Sequence, residues 1–221
     1  MCNLYTENNY LMKIIIIILS TTLLFSQDFY PADSLYQNKN TGAIKRLSIL
    51  PIMFWQRISY NNDVFNCQFY PSCSNYCAKA FTKYGVLKGS IISLDRITRC
   101  NPAAYYYHLK LNRPYYERDG RMIDTIEQSS FAKSSKSPTL AATYSLLIPG
   151  FGRAYSNRKW DAVFGASTFL LISNSAYKNF QKDNFSRASI LGVASILIYA
   201  SEIYGSWRAA KYYQIKKKQS R

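Results

Sequence analysis

Four cysteines, one histidine and one isolated carboxylate are the side chains here whose types and spacing could do chemistry. Cys67, Cys73, Cys77 and Cys100 are separated by five, three and twenty-two residues. That is not the paired Cys-x-x-Cys pattern of a zinc ribbon. Cys73 and Cys77 stand one helical turn apart, so a metal held there is the lesser alternative, and no metal is expected. The readings that remain are reduced, packed thiols or a single disulfide, depending on compartment. A fifth cysteine, Cys2, is expected to lie outside the mature chain. His108 is the only histidine. With no carboxylate cluster beside it, it reads as a solvated loop residue. Glu202 sits in an apolar run, where a carboxylate is costly. It either faces protein, water or a partner, or lies at an interface beside Tyr204 and Trp207. No phosphate-binding loop, nucleophile elbow or dinucleotide fingerprint is present. No catalytic residue or cofactor is assigned, and an enzyme is not expected.

The surroundings of these residues are strongly basic. Lys and Arg total 28 against 12 Asp and Glu in 221 residues, a formal net charge of +16. Such an excess implies an anionic partner. The apolar residues concentrate between Ile14 and Phe25 and again after Leu140. That distribution favours an anionic bilayer and argues against nucleic acid. Tyr, at 20 residues, suits a membrane interface, with an apolar ring and a wet hydroxyl.

The elements that must position the cysteines can be read in order. Residues 1–27 form an N-terminal extension and a signal-like segment, with Met12 as the expected start. Lys13 precedes about twelve apolar residues, the length of a signal h-region and short for a membrane span. It reads either as a cleaved signal or as an uncleaved anchor. Residues 28–43 read as a linker. Ile44 to Tyr60 has apolar residues at helical spacing with Lys45, Arg46 and Arg57 at its edges. Such a helix can lie in the bilayer interface or serve as a core helix, and Pro51 is expected to kink or restart it. Ser72 can cap a helix from Cys73 that Gly85 ends. A second helix is predicted from Val86 to about Arg99, stopped by Pro102, with Lys88, Arg96 and Arg99 in one arc. If the two helices pack antiparallel, Cys100 returns to Cys67 and Cys73 and leaves Cys77 out.

Residues 103–137 are polar, Tyr-rich and without clear period. Residues 138–207 hold two mostly apolar runs, Asp161 to Tyr177 and Ala188 to Trp207, around a short charged loop. Rich in Ala, Gly and Ser, they read as a membrane hairpin. Residues 208–221 form a basic tail of the kind found on the cytoplasmic side. The expected fold class is therefore mainly α: a small helical cysteine-containing domain, residues 44–102, followed by a transmembrane helical hairpin.

The span from Ile44 to Pro102 resembles the membrane protein insertion efficiency factor (YidD) family. That family shows Tyr/Phe-Gln-x-x-Ile-Ser, then Cys-x-Phe-x-Pro-Thr/Ser-Cys-Ser-x-Tyr, then Lys-x-Gly-x-x-x-Gly and Arg-Cys-x-Pro. The counterparts here are Gln56, Ile58 and Ser59; Cys67, Phe69, Pro71, Ser72, Cys73, Ser74 and Tyr76; Tyr84, Gly85, Lys88 and Gly89; and Arg96, Arg99, Cys100 and Pro102. The chain departs from the pattern at Tyr60, where Pro is usual, and at Cys77, which replaces Ala. It also departs after Pro102, where AAYYYHLKLNRPYYERDGRMID replaces a Gly-rich end. A weaker resemblance joins Pro149, Gly150, Gly152 and Tyr155 to a Pro-Gly-x-Gly-x-x-Tyr motif of small bacterial membrane domains, with Arg153 where Gln is common. Its physical sense would be a tight turn that lets the chain re-enter the bilayer.

The YidD resemblance implies a non-catalytic accessory factor for protein insertion, placed at the bacterial inner membrane. Its implied partners are anionic membrane lipid, the YidC insertase or Sec translocon, and nascent membrane proteins. Lys45, Arg46, Arg57, Lys88, Arg96 and Arg99 are the residues expected to meet the membrane surface. A lipid-binding or membrane-disrupting, haemolysin-like protein is the alternative, and a thiol-dependent enzyme is a third. Topology stays open: a cleaved signal puts the cysteine domain in the periplasm, whereas the basic tail points to the cytoplasm.

Overall fold

The computed structural model describes residues 29–62, 65–126 and 136–212. The signal-like segment, Cys2 and the tail beyond Tyr212 lie outside the described residues. Helix α1, Pro31–Gln37, opens on a proline, whose missing N–H is no loss at a first helical position. Helix α2, Ala43–Ser59, runs unbroken through Pro51. Its buried residues Ile49, Met53 and Gln56 recur at steps of four and three on one face. Ile49 and Met53 pack with Ala32 and Ala78, and Gln56 accepts a hydrogen bond from the Ala32 N–H at 3.0 Å.

Helices α3, Cys73–Tyr84, and α4, Val86–Arg99, form the hairpin predicted from the sequence, with the predicted boundaries. Ser72 Oγ caps α3 by accepting from the Asn75 N–H at 3.3 Å. Gly85 joins the helices at φ +81°, a conformation that L side chains rarely adopt. At Gly89 the helices nearly touch: a Cβ there would lie 2.6 Å from Phe81 and 3.0 Å from the Ala80 backbone.

The segment after Pro102 is ordered into the same unit. Helix α5, Ala104–Lys110, packs its Ala104 on Phe69 and Met122. Strand β1, Phe69–Tyr70, pairs in parallel with β2, Met122–Ile123. Residues 103–126 of the Tyr-rich stretch thus pack on the cysteine-bearing hairpin. His108, expected in solvent, is buried at the end of α5, against the Tyr115 ring and 3.0 Å from the Pro114 carbonyl.

The C-terminal half contains α6, Pro138–Leu147; α7, Phe151–Tyr155; α8, Lys159–Gln181; and α9, Phe185–Tyr212. Helices α8 and α9 form the expected helical hairpin. Among the described residues, only α9 is both long and apolar enough to cross a membrane. Helix α8 has the length, but Asp161, Asn174, Lys178 and Asn179 dilute its apolar character. Apolar side chains stand outward on both helices, including Leu171 at 67% and Ile190 at 70% exposure. The second half of α9 is different: Ser201, Glu202, Gly205, Ser206, Arg208, Ala209 and Ala210 are all buried against the rest of the protein.

Candidate functional site

Where α9 enters the globule, its polar residues meet a buried set of charges. Asp95 on α4 lies 3.1 Å from Arg99, one turn away on the same helix. Arg153 of α7 and Arg208 of α9 reach the same carboxylate at 3.0 and 3.1 Å. Asp124, just after β2, takes Arg99 at 2.6 Å and Arg96 at 3.4 Å, with Arg208 at 3.8 Å and Arg113 at 3.9 Å. Arg153 also holds Glu202 at 3.0 Å. Asp161, opening α8, pairs with Arg158 and accepts from Asn101 at 2.7 Å.

Six arginines here face four carboxylates, an excess of two positive charges in a buried region. Aromatic faces take up part of the excess. The Arg96 guanidinium lies 4.3 Å from the Tyr76 ring centroid and 4.8 Å from that of Phe69. Arg96 also donates to the Pro71 carbonyl at 2.8 Å. Arg158 stands 4.2 Å over the Tyr107 ring. Burial alone would push the Asp95 and Asp124 carboxyls upward, since it disfavours the charged form. The neighbouring guanidiniums outweigh it: Arg99, Arg153 and Arg208 hold Asp95 below the usual carboxylate range, and Arg99, Arg96 and Arg208 hold Asp124 well below it.

Small residues make this convergence sterically possible. A Cβ at Gly205 would collide with the Arg153 guanidinium and the Asp95 carboxylate, and one at Gly165 with the Glu202 carboxylate. One at Gly152 would strike the Ala141 carbonyl. Ser145 and Ser206 bond across α6 and α9 at 2.6 Å, and the Gly152 N–H donates to Ser145 at 3.0 Å. The Pro149-Gly150 turn, with Gly150 at φ +85°, starts α7 and delivers Arg153 into the network. Its observed role is to aim a cation inward.

The cysteines fall as the hairpin geometry predicts. The Sγ atoms of Cys67, Cys73 and Cys100 all lie within 4.8 Å of one another, beside Phe69, Met122 and Tyr115. They are free thiols. Cys77 is outside the group, and burial pushes its thiol pKa up, partly offset by Ser93.

The other residues of the family pattern serve the same framework. Pro71 is buried and offers its carbonyl to Arg96; Ser72 caps α3; Tyr76 lies under Arg96 and receives a hydrogen bond from Arg208 at 3.2 Å. Gly85 and Gly89 shape the α3–α4 hairpin, and Pro102 is an exposed turn residue after α4.

The membrane-surface residues divide. Arg96 and Arg99 are 0% and 2% exposed and belong to the charge network, which corrects their expected headgroup role: α9 and the 122–126 segment cover that part of the arc. Arg57 is paired with Asp33 at 3.2 Å. Lys45, Arg46 and Lys88 stay near the surface. Lys45 donates to the Thr82 carbonyl at 2.7 Å, Arg46 to that of Asn38 at 2.9 Å, and Lys88 lies 4.9 Å over Tyr84. Lys83 joins Lys45 and Lys88 at the end of α3, amid exposed Ile44, Val86 and Leu87.

Sequence reasoning missed Asp95, Asp124, Asp161, Arg113, Arg153, Arg158 and Arg208 as a set. The available signal was scarcity: 12 carboxylates in the whole chain, with Asp95 and Glu202 each set in an amphipathic or apolar helix.

Over residues 44–106 the chain matches the YidD family, described as "Putative membrane protein insertion efficiency factor". A protein of that description from Oleidesulfovibrio alaskensis is 42% identical over 62 residues, covering 28% of this chain and 72% of the relative. One from Thermoanaerobacter pseudethanolicus is 46% identical over 59 residues, covering 27% of this chain and 86% of the relative. One from Ruminiclostridium cellulolyticum is 47% identical over 60 residues, covering 27% and 84%. No solved structure matches the chain. The matched span contains Asp95, Arg96, Arg99 and the three clustered cysteines, and stops before Asp124, Arg153 and Arg208.

Proposed function

The chain belongs to the YidD family, and from that premise we propose that it is a non-catalytic accessory factor assisting insertion of proteins into the bacterial inner membrane. The observation that carries this reading is its identity of 42–47% to three insertion efficiency factors over most of their length. The C-terminal hairpin supplies an anchor for the family domain. From Phe185 to Leu197, α9 runs with much of its apolar surface outward for about 20 Å at 1.5 Å per residue. That is about two-thirds of the hydrocarbon thickness of about 30 Å. Lys178, Lys182 and Arg187 at the hairpin tip would then reach the opposite headgroups. The chain is expected to remain with membranes on carbonate extraction, and release into the soluble fraction would refute the anchor.

Anionic lipid is the partner proposed for the Lys45, Lys83 and Lys88 edge, where exposed Ile44 and Leu87 could enter the interface. Each basic residue near an anionic leaflet contributes about 1 kcal/mol. Replacing Lys45, Lys83 and Lys88 by Gln should therefore lower the anionic lipid retained by the full-length protein in detergent. Replacement of exposed Arg118 should not. Equal retention of neutral and anionic lipid by the unmodified protein would rule the edge out.

Insertion itself is tested by depleting the protein and following a test membrane protein into the bilayer. Slowed insertion, restored by the full chain, is expected. Unaltered insertion together with leakage of vesicles exposed to the protein would favour membrane disruption, which the exposed Phe54, Trp55 and Ile58 on α2 could perform.

A further inference from the structure

Three sulfurs converge at one end of the α3–α4 hairpin. Cys67 precedes β1, Cys73 is the first residue of α3, and Cys100 is the C-cap of α4. Their positions are fixed by elements that the rest of the fold already holds. The Sγ atoms of Cys67 and Cys73 are 3.5 Å apart, and all three sulfurs lie within 4.8 Å of one another.

The polar groups around the sulfurs suit thiolates. The Cys73 backbone N–H points at Cys67 Sγ at 3.4 Å, and Gln68 Nε2 donates to Cys100 Sγ at 3.5 Å. Donors of this kind stabilise negative sulfur. All three residues are only partly buried.

A disulfide would use two of these sulfurs and strand the third. A metal ion uses all three. Zinc–sulfur bonds of 2.3 Å in tetrahedral geometry put sulfurs about 3.8 Å apart. The observed separations, 3.5 Å for Cys67 to Cys73 and all within 4.8 Å, bracket that spacing. We propose that Cys67, Cys73 and Cys100 form a three-thiolate site for a thiophilic divalent cation of the zinc type. A fourth position is left for water or another donor. Each thiol gives up its proton on binding, and nothing is oxidised or reduced. Cysteines with five, three and twenty-two residues between them hide this site, because the ligand set skips Cys77 and is closed by the turn at Gly85. The inference goes beyond the insertion role and does not depend on it.

The test uses the full-length protein, purified in detergent under reducing, metal-free conditions. Titration with Zn2+ is expected to saturate at one equivalent per chain and to release protons. Co2+ should give the sulfur-to-cobalt charge-transfer band of thiolate ligation. Alkylation mapped by mass spectrometry should show Cys67, Cys73 and Cys100 protected by Zn2+, with the rate at Cys77 unchanged. Replacing any one of the three by Ser should abolish the stoichiometric equivalent, and Cys77→Ser should keep it. The wild-type titration and alkylation map do not rely on any variant folding. Absence of a bound equivalent in the folded wild type would overturn the proposal. So would equal protection of Cys77, or a disulfide among the three in protein isolated without oxidant.

Discussion

Asp124→Asn is expected to unfold the cysteine-bearing globule. Four guanidiniums, those of Arg96, Arg99, Arg113 and Arg208, lie within 3.9 Å of this one carboxylate. The amide would keep the shape and remove the charge. It would also turn a donor toward groups that are themselves donors. Breaking a buried ion pair by removing one partner costs about 3–5 kcal/mol, because the remaining charge is left uncompensated. A domain has about 5–15 kcal/mol in total. Thermal unfolding of the full chain in detergent, followed by near-ultraviolet circular dichroism, is the measurement. Asp119→Asn is the control, since Asp119 meets only Arg121 at the surface. A Tm for Asp124→Asn no lower than for Asp119→Asn would refute this account of the network.

The same network fixes the sign of the acid response. Asp95 and Asp124 have their pKa values lowered in the fold despite burial, because Arg99 and its neighbours favour the charged form. Their contribution is fully present above the ordinary carboxylate pKa of about 4 and is lost as pH falls through the lower folded values. The protein is therefore expected to hold near-constant stability from neutrality down to about pH 5 and to lose it below about pH 4. A stability loss complete above pH 5 would mean that other groups govern it.

Local signals were legible where the chain itself carries the physics. Ser72 and Gly85 bound α3 because a capping hydroxyl and a positive φ are properties of single residues. The cysteine cluster followed from two helices of similar length folded back at a glycine. The basic arc of α4 was legible only in half. Lys88, Arg96 and Arg99 share a face, yet α9 covers the last two, and periodicity says nothing of what arrives from 113 residues away, as Arg208 does on Asp95. The stretch 103–126 looked featureless because its order comes from pairing with β1 and from Asp124, both long-range. Helix α8 reads as a second span because Ser and Thr are tolerable in lipid, whereas Asp161 at its start belongs to the network.

Arg153→Gln is expected to detach the C-terminal hairpin from the family domain. Arg153 is fully buried and pairs with both Asp95, inside the family-matched span, and Glu202, on α9. Burial would lower its pKa, but Glu202 and Asp95 raise it above the ordinary arginine value, so the cation is the favoured form. Gln fills much of the space. It cannot neutralise two carboxylates, and the loss should again be about 3–5 kcal/mol. Adding Glu202→Gln removes one of the stranded charges and should return part of the stability. A coupling of about 0.5–3 kcal/mol is expected for residues in direct contact. Amide hydrogen exchange locates the effect: the second half of α9, around Glu202, should exchange faster in Arg153→Gln than in the unmodified protein and regain protection in the double variant. If exchange there is unchanged in the single variant, or if the two substitutions prove additive, Arg153 does not join the hairpin to the family domain.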